Sequence, residues 1–173
     1  MALAFLTTPS PLGPLDLFAD DASGALIALY FARHRHRPAL EARENARLPV
    51  LAAATEQLRE YFSGTRTRFD LTLAPRGTAF QRRVWDALRE IPHGGTTTYG
   101  ALADAIGSPR AVRAVGAANG RNPLSIVVPC HRVVGANGTL TGYAGGLDAK
   151  RWLLDHEARF APQPALAAPP SSR

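Results

Sequence analysis

Hydrophobic residues near the start of the chain come in short runs separated by glycine and proline. Residues 3–8 and 12–19 are two such runs, and residues 24–31 (GALIALYF) form a third that is almost entirely apolar. Short apolar runs bounded by turn residues are typical of strands joined by tight turns. Residues 69–73 (FDLTL) alternate apolar and polar positions like one further strand. This pattern predicts a small antiparallel sheet.

A helical spacing of apolar residues lies between these strands. Apolar positions recur every three or four residues from Pro49 to Phe62, with the proline suited to a first turn and Gly64 just beyond the end. The spacing predicts one helix over this segment. Residues 74–77 (APRG) then resemble a linker, and we place a domain boundary there.

The second half of the chain is patterned mostly as helices. Thr78 is suited to cap a helix whose apolar residues keep one face as far as Ile91. Residues 98–106 predict a short helix, and Ser108 followed by proline predicts the start of another over residues 110–118. Two short helices joined by Gly-Ser-Pro indicate a helix-turn-helix.

An apolar segment after the helix-turn-helix predicts a strand that leads to Cys130. Asn137 and Gly138 then form the strongest short hairpin signal in the chain. Residues 147–157 predict a last helix, and residues 161–173 (APQPALAAPPSSR) predict a disordered tail. The pattern as a whole gives an α+β fold with an amino-terminal α/β domain (1–74), a mostly helical domain (75–160) and the tail (161–173).

Positive charge is concentrated in the second domain. Residues 1–74 carry 8 Arg and 8 acidic residues, whereas residues 75–160 carry 11 Arg and Lys against 6 acidic residues, a net of +5. A basic face on the half that also contains Cys130 favours a polyanionic substrate over a merely soluble surface.

Other features of the sequence narrow the class of protein. No apolar run approaches the ~20 residues that a membrane span requires, and the amino terminus shows no secretory signal. A single cysteine cannot form an intramolecular disulfide, so we expect a cytoplasmic protein. His34 and His36 lie in the basic segment RHRHRP, where a solvated loop is expected over a metal site because cysteine and acidic ligands are missing.

Cys130 is the only cysteine in 173 residues and lies near the end of residues 122–133 (NPLSIVVPCHRV). A lone cysteine is most often a buried, inert small hydrophobe. Here Pro129 stiffens the chain before the sulfur, while His131 and Arg132 follow at once, where positive charge could lower the pKa of the thiol. We interpret Cys130 as a nucleophile.

The segment 122–133, together with GYAGG at 142–146 and WLLDHE at 152–157, resembles the O6-alkylguanine-DNA alkyltransferases, also called methylated-DNA–protein-cysteine methyltransferases. PCHRV is very specific to that family. The resemblance implies a ribonuclease-H-like fold for the amino-terminal sheet-plus-helix domain. It also implies DNA repair by direct reversal, in which an alkyl group passes once and irreversibly from O6-alkylguanine to Cys130, and it leaves O4-alkylthymine open as a substrate.

The same resemblance implies a group of residues around the nucleophile. In the family a water connects the cysteine to the next histidine, which a glutamate holds; His131 and Glu157 match these two. A direct hydrogen bond between Cys130 and His131 is not expected, because neighbouring side chains on a strand point to opposite faces. Asn122 matches the family's hinge asparagine. Tyr99 matches the tyrosine that crowds the rotated phosphate and donates a proton to the departing guanine.

Further matches concern the DNA and the flipped base. The resemblance implies double-stranded DNA bound through the minor groove, no cofactor and a monomer, while clustering on DNA stays open. Some relatives carry a structural zinc in the amino-terminal domain, but residues 1–74 contain no cysteine, so we expect no metal there. Arg113 matches the finger that enters the stack as the base leaves, and some relatives have serine in place of Ala144. The expected DNA-binding residues are Tyr99, Ser108, Arg113, Ala114 and Arg121. The expected pocket residues are Val133, Tyr143, Ala144 and Gly145.

Two other classes of protein compete with this interpretation. A cysteine hydrolase also uses a cysteine and a histidine held by a third group, but it would turn over many times. A non-enzymatic helix-turn-helix regulator would need polar, base-contacting side chains on residues 110–118, which are nearly all Ala, Val and Gly.

Overall fold

The structure is a computed structural model, and it describes residues 2–161. Its first part is a four-stranded sheet in the order β3-β2-β1-β4. Strands β1 (Leu3–Thr8), β2 (Leu15–Asp20) and β3 (Ala25–Phe31) pair antiparallel, which confirms the predicted sheet. The short β4 (Arg43–Glu44) pairs parallel to β1 and was not predicted.

The free edge of β3 joins the two halves of the chain. Leu26 pairs with residues 72–74, its N–H donating to the Thr72 carbonyl over 2.8 Å. Leu29 pairs with residues 123–125, its N–H donating to the Pro123 carbonyl over 2.8 Å. Each segment has only one bridge on this shared edge, so the strand predicted over residues 69–73 is wrong. The second segment leads to Cys130, which fixes that loop on the sheet.

Helices α1 and α2 follow the predictions closely. Helix α1 runs over Pro49–Phe62, as the spacing and the proline predicted. Helix α2 (Ala79–Leu88) begins after Thr78, whose hydroxyl accepts from the Gln81 N–H over 3.2 Å while the Gln81 side chain accepts from the Thr78 N–H over 2.9 Å. The helix ends at Leu88, so Ile91 is buried in the following loop and not on the helix.

The helix-turn-helix is present with different boundaries. Helix α3 covers Tyr99–Ala105, a 3-10 helix covers Pro109–Ala111, and α4 covers Val112–Gly120. Ser108 does not cap a helix, because its backbone is not in the extended conformation of a cap and its hydroxyl accepts from Arg83 over 3.2 Å. Asn119 and Gly120, which lie beyond the predicted end of this helix at residue 118, are part of α4.

The predicted strand before Cys130 is wrong. Residues 124–130 form tight turns, with the Val128 N–H donating to the Leu124 carbonyl over 2.8 Å and Ile126 at a φ of 71°. The segment is apolar because it is buried, and burial alone does not require an extended chain. Cys130 instead begins a 3-10 helix, Cys130–Arg132.

The last part of the chain contains a turn, a strand pair and a helix. Strand β6 (Val133–Val134) pairs parallel with β5 (Thr97–Thr98), so the predicted hairpin does not form. The turn at Gly138 is present, with a φ of 77° and its N–H donating to the Gly135 carbonyl over 2.9 Å. Helix α5 covers Leu147–Phe160, three residues longer than predicted. The predicted tail lies outside the described residues from position 162 onward.

One hydrophobic cluster runs through both halves. It includes Leu29 of the sheet, Tyr61 of α1, Trp85 of α2 and Cys130 itself. The Trp85 indole N–H donates to the Ala118 carbonyl over 2.9 Å and thereby attaches α2 to α4. The site loop is therefore packed between the sheet and the helices.

Candidate active site

Cys130 is held at a fixed position by Asn122. The sulfur is almost fully buried, with the residue 3% exposed. The Asn122 side-chain amide donates to Cys130 Sγ over 3.0 Å and to the Val128 carbonyl over 2.8 Å. Its oxygen accepts from the Leu124 N–H over 3.0 Å. Asn122 thus holds the loop closed and donates to both a backbone carbonyl and the sulfur within it.

The thiol of Cys130 is protonated in the resting protein. Burial raises its pKa from 9.0 to about 11, although the Asn122 hydrogen bond and the Lys150 charge act in the opposite direction. The expectation that His131 and Arg132 lower this pKa below that of a free thiol is therefore wrong for the substrate-free protein. The reason is that Arg132 turns away to pair with Glu157 and that burial keeps His131 neutral.

Glu157 is a buried carboxylate that accepts five hydrogen bonds from residues within 2–161. Oε1 accepts from Tyr61 Oη (2.8 Å), His131 Nε2 (2.7 Å) and a terminal nitrogen of Arg132 (2.9 Å). Oε2 accepts from Arg132 Nε (2.8 Å) and from the Gly94 N–H (3.2 Å). Burial would raise the pKa of Glu157, but the hydrogen bonds from His131 and Arg132 and the charge of Arg132 hold it well below its usual range. Glu157 is therefore ionised.

His131 is placed to accept a proton. It is fully buried, and desolvation lowers its pKa although the hydrogen bond to Glu157 raises it. Because an ionised carboxylate only accepts, the shared hydrogen lies on His131 Nε2 and the lone pair lies on Nδ1. Nδ1 is buried and makes no hydrogen bond to any residue in 2–161. His131 thus offers one unused basic nitrogen next in sequence to the thiol.

Lys150 is a buried residue near the thiol that the sequence did not single out. It is one of the 11 Arg and Lys residues in 75–160, yet its side chain is fully buried (0% exposed). Its ammonium donates to the Val133 carbonyl over 2.6 Å and to the Thr141 carbonyl over 2.8 Å. Burial lowers its pKa from 10.5 to about 8, and Cys130 partly offsets this. The pattern of charges along the sequence could not show that this lysine is buried, because its two carbonyl acceptors lie on distant loop residues.

The expected pocket residues lie on segments packed around the cysteine. Val133 and Tyr143 are buried, and the Tyr143 ring meets the His131 ring edge-on with centroids 6.5 Å apart. A Cβ at Gly145 would lie 2.6 Å from the Phe31 ring, so only glycine fits there without movement. The Ala144 carbonyl accepts from the Arg35 N–H over 3.0 Å. The end of β3 therefore supports the loop that carries these residues.

The expected DNA-binding residues lie on or next to the helix-turn-helix. None of them is a hydrogen-bond donor to Glu157 within residues 2–161. Arg113 and Ala114 are exposed on α4, and Arg121 is exposed just beyond its end. Val115 and Ala118, on the other face, are buried. Tyr99 is partly exposed at the start of α3, and its hydroxyl lies 3.4 Å from the Thr141 hydroxyl. Ser108 is half-buried in the turn.

His34 departs from the predicted solvated loop. It is buried against Tyr30, with ring centroids 4.8 Å apart, and burial lowers its pKa to about 4. Within residues 2–161 no group of three or more His, Cys, Asp and Glu side chains could hold a metal ion. Nor does that part of the chain contain a helix long and apolar enough to cross a membrane.

Comparison with known proteins matches each half of the chain to a domain of the same protein family. The family model described as "6-O-methylguanine DNA methyltransferase, DNA binding domain" matches residues 79–159. A second model, "6-O-methylguanine DNA methyltransferase, ribonuclease-like domain", matches residues 4–75. The two matches together span almost all of the described chain.

Individual relatives are similar over nearly their full length. The methylated-DNA–protein-cysteine methyltransferase of Mycolicibacterium paratuberculosis is 50% identical over 161 residues, covering 92% of this chain and 95% of the relative. The protein of the same name from Methanosarcina acetivorans is 50% identical, covering 86% and 94%. The crystal structure of Mycobacterium tuberculosis OGT in complex with DNA has a TM-score of 0.83 at 45% identity, covering 94% of this chain and 96% of that one. The chain therefore belongs to the 6-O-methylguanine DNA methyltransferase family, the methylated-DNA–protein-cysteine methyltransferases, which repair DNA by direct reversal.

Proposed function

We propose that this protein transfers the alkyl group of O6-alkylguanine in DNA to Cys130 and that each molecule acts once. The observation that carries the proposal is the arrangement of three buried groups. A thiol fixed by Asn122 lies next in sequence to a neutral His131, whose other nitrogen is held by the ionised Glu157. A fixed nucleophile, a base and a group that orients the base are the parts that covalent catalysis requires.

The transfer step balances without a cofactor. Cys130 gives its proton to His131 Nδ1, through a water as in the family, while Glu157 stabilises the imidazolium that forms. The thiolate sulfur attacks the alkyl carbon, the S–C bond forms, and the bond between that carbon and O6 breaks. Its electron pair goes to the guanine, which takes up one proton from the Tyr99 hydroxyl. The imidazolium proton returns through solvent to Tyr99, so the net products are a thioether and guanine.

The high pKa of the resting thiol indicates when the proton leaves. A thiol with a pKa of about 11 is almost entirely protonated at neutral pH. Deprotonation is therefore proposed to occur with the substrate already in the pocket and with His131 as base. A buried, protonated sulfur is protected from oxidation and from unrelated electrophiles while the protein waits for damage.

Access to the buried sulfur requires that the base leave the duplex. The O6 carbon cannot reach a protein sulfur inside a stacked helix, and flipping costs a few kcal/mol, least for a damaged and poorly paired base. Val133, Tyr143, Ala144 and Gly145 are proposed to form the pocket that receives it. A thioether is too poor a leaving group to hydrolyse, which is why one molecule would repair one base.

The helix-turn-helix is proposed to bind duplex DNA through the minor groove. Small residues on α4 allow the helix close to the DNA, and Arg113 is proposed to fill the gap left by the flipped base. Asn122 serves as the hinge between α4 and the cysteine loop, and Tyr99, Ser108, Ala114 and Arg121 contact the strands. The complex of Mycobacterium tuberculosis OGT with DNA supports DNA binding by this protein. We further propose that the protein acts as a monomer in the cytoplasm, where a free thiol stays reduced.

The test is a mass spectrum after incubation with excess duplex containing O6-methylguanine. We expect one added methyl, located on Cys130 by peptide mapping, and none in Cys130→Ser. Product guanine should equal the protein in amount. Many product molecules per protein, with no mass retained, would indicate a hydrolase and overturn the proposal.

A further inference from the structure

Tyr61 connects the amino-terminal part of the chain to the candidate active site. It lies on α1, within the segment matched by the ribonuclease-like family model, and it is fully buried (0% exposed). Its hydroxyl donates to Glu157 Oε1 over 2.8 Å, across 96 positions of sequence. Its carbonyl accepts from His156 Nε2 over 2.8 Å, which ties the same turn of α1 to α5.

The oxygen that Tyr61 uses is the one that His131 uses. Oε1 of Glu157 accepts from Tyr61 Oη, His131 Nε2 and Arg132, whereas Oε2 accepts from Arg132 and Gly94. The other four hydrogen bonds to Glu157 come from residues 94–132. Tyr61 is thus the donor that the sheet-bearing part of the chain supplies.

A shared acceptor oxygen couples its donors. Burial and the negative charge of Glu157 raise the pKa of Tyr61, so its hydroxyl stays protonated and always donates. The partial positive charge of the Tyr61 hydroxyl hydrogen weakens the hydrogen bond that Oε1 accepts from the His131 N–H. Without the Tyr61 hydroxyl, the hydrogen bond from His131 to Oε1 would be stronger and the protonated imidazole would be favoured. The carboxylate of Glu157 would also be freer to rotate.

We propose that Tyr61 is a positioning residue for alkyl transfer: by donating to Glu157 Oε1 it fixes the carboxylate that orients His131 and sets how readily His131 takes the Cys130 proton. The amino-terminal part of the chain then acts in the chemistry as well as in the fold. This inference rests on the proposed function, because it assigns Tyr61 to the proton relay of that site.

Several other titratable or charged groups surround the relay and must stay unchanged in a test. They lie on the loop that follows α2, on the 3-10 helix Cys130–Arg132, on the loop 141–146 and on α5. These groups are His93, Cys130, Arg132, Tyr143, Lys150 and His156.

Tyr61→Phe is the informative variant, because it removes only the hydroxyl. The ring packs among Phe62, Phe69, His93 and His156, with centroids 5.3 to 6.1 Å away, and phenylalanine preserves these contacts. Tyr30→Phe is the matched control, since Tyr30 is a buried tyrosine of β3 that packs on His34, away from the Glu157 group.

The experiment measures benzyl transfer from free O6-benzylguanine to Cys130 by intact-mass spectrometry across a pH series. In Tyr61→Phe we expect the rate on the plateau to fall about three- to tenfold, because the carboxylate that orients His131 loses one of the hydrogen bonds that fix it. The acid-side midpoint, which reports protonation of His131, should rise by about half a pH unit to one unit. Tyr30→Phe should keep both values of the unaltered protein.

Each outcome decides the inference. A wild-type midpoint and rate in Tyr61→Phe would overturn it, and so would a lower rate with an unmoved midpoint, which is what loosened packing produces. A variant that circular dichroism shows unfolded at every temperature would assign Tyr61 to the fold alone and likewise overturn it. Failure of the unaltered protein to gain a benzyl group on Cys130 would instead refute the proposed function.

Discussion

Asn122 lies eight residues before Cys130 and donates a hydrogen bond from its side-chain amide to the cysteine sulfur over 3.0 Å. The same nitrogen donates to the Val128 carbonyl, and the side-chain oxygen accepts from the Leu124 N–H. The residue therefore acts on the reactivity of the sulfur and on the shape of the loop together. A substitution that removes the donor but keeps the size of the side chain and its accepting oxygen should therefore change both.

Asn122→Asp is that substitution. An ionised aspartate can still accept from Leu124 but cannot donate to Val128 or to the sulfur, and its charge should raise the pKa of Cys130 further. We expect transfer from free O6-benzylguanine at neutral pH to slow about a hundredfold, and the free energy of unfolding to fall by about 1–3 kcal/mol. Single-turnover mass spectrometry and urea denaturation measure the two quantities. The control is Asn137→Asp in an exposed turn, which should change neither.

Glu157→Gln tests the carboxylate through the dependence of stability on pH. The folded pKa of Glu157 is depressed below its ordinary value of 4.5. Its contribution is therefore complete above about pH 4.5 and is lost as the pH falls toward the folded pKa. The variant should be less stable at neutral pH by about 3–5 kcal/mol, the usual cost of breaking a buried pair. Its stability should also fall less than that of the unaltered protein between about pH 5 and pH 3.

Urea denaturation across this pH range provides the check. Glu60→Gln is the control, since Glu60 pairs with Arg66 at a partly exposed position where such a pair contributes at most about 1 kcal/mol. Parallel pH curves for the unaltered protein and Glu157→Gln would contradict the assignment of Glu157 as an ionised acceptor.

Lys150→Met tests the buried lysine. The substitution removes a positive charge that lowers the pKa of Cys130, and it removes the donor that holds the Val133 and Thr141 carbonyls. Both changes should slow benzyl transfer at neutral pH, by about tenfold together. Arg151→Met removes the neighbouring charge, which is exposed, and should leave the rate unchanged. Equal rates in the two variants would show that Lys150 matters only as one basic residue among others.

Elements with local signals could be predicted from the sequence. The bounds of α1 follow from Pro49 and Gly64, and the start of α2 follows from the Thr78 and Gln81 capping pair, because each signal acts within a few residues of the boundary. The apolar segment before Cys130 lacked such a signal. A short buried run is compatible with a strand or with tight turns, and only its packing against Leu29 decides between them.

The contacts that site residues make with residues far away in the sequence could not be predicted. Tyr61 was expected as one more apolar residue of an amphipathic helix, since nothing within α1 indicates an acceptor 96 positions away. Lys150 was one of the basic residues counted in 75–160, and its burial could not be predicted because lysine is rarely buried unless it is paired. The Glu157 role came from the family resemblance, whereas its five donors came from the structure.

Arg113→Ala should distinguish base flipping from chemistry. Arg113 is exposed on α4, and its help matters only when the target base must leave a duplex. We expect repair of duplex DNA to slow by roughly ten- to a hundredfold, and reaction with free O6-benzylguanine to stay nearly unchanged. Rapid-quench measurements on the two substrates give this comparison. Equal losses on both substrates would place Arg113 in the pocket or the fold, and no loss on either would make it an ordinary surface charge.

Alkylation of Cys130 should destabilise the protein in a way that depends on pH. The sulfur is buried and already contacts the Asn122 amide at 3.0 Å, so an added methyl overpacks the site at a typical cost of about 1–3 kcal/mol. The free thiol contributes a second effect, because its pKa is raised from 9.0 to about 11 on folding.

A raised folded pKa stabilises the free protein fully below pH 9.0, and this stabilisation is lost as the pH rises toward about 11. A thioether has no proton to lose, so the methylated protein lacks this change, while Lys150 titrates in both forms. The unmethylated protein should therefore be the more stable form at neutral pH, and the gap should narrow at about pH 10. Urea denaturation of the two forms at both pH values measures the gap, with Cys130→Ala as a control that should also lack the alkaline loss. A gap that is constant with pH would show that the thiol titrates alike in the folded and unfolded chain, and no gap at neutral pH would show that the pocket already has room for a methyl group.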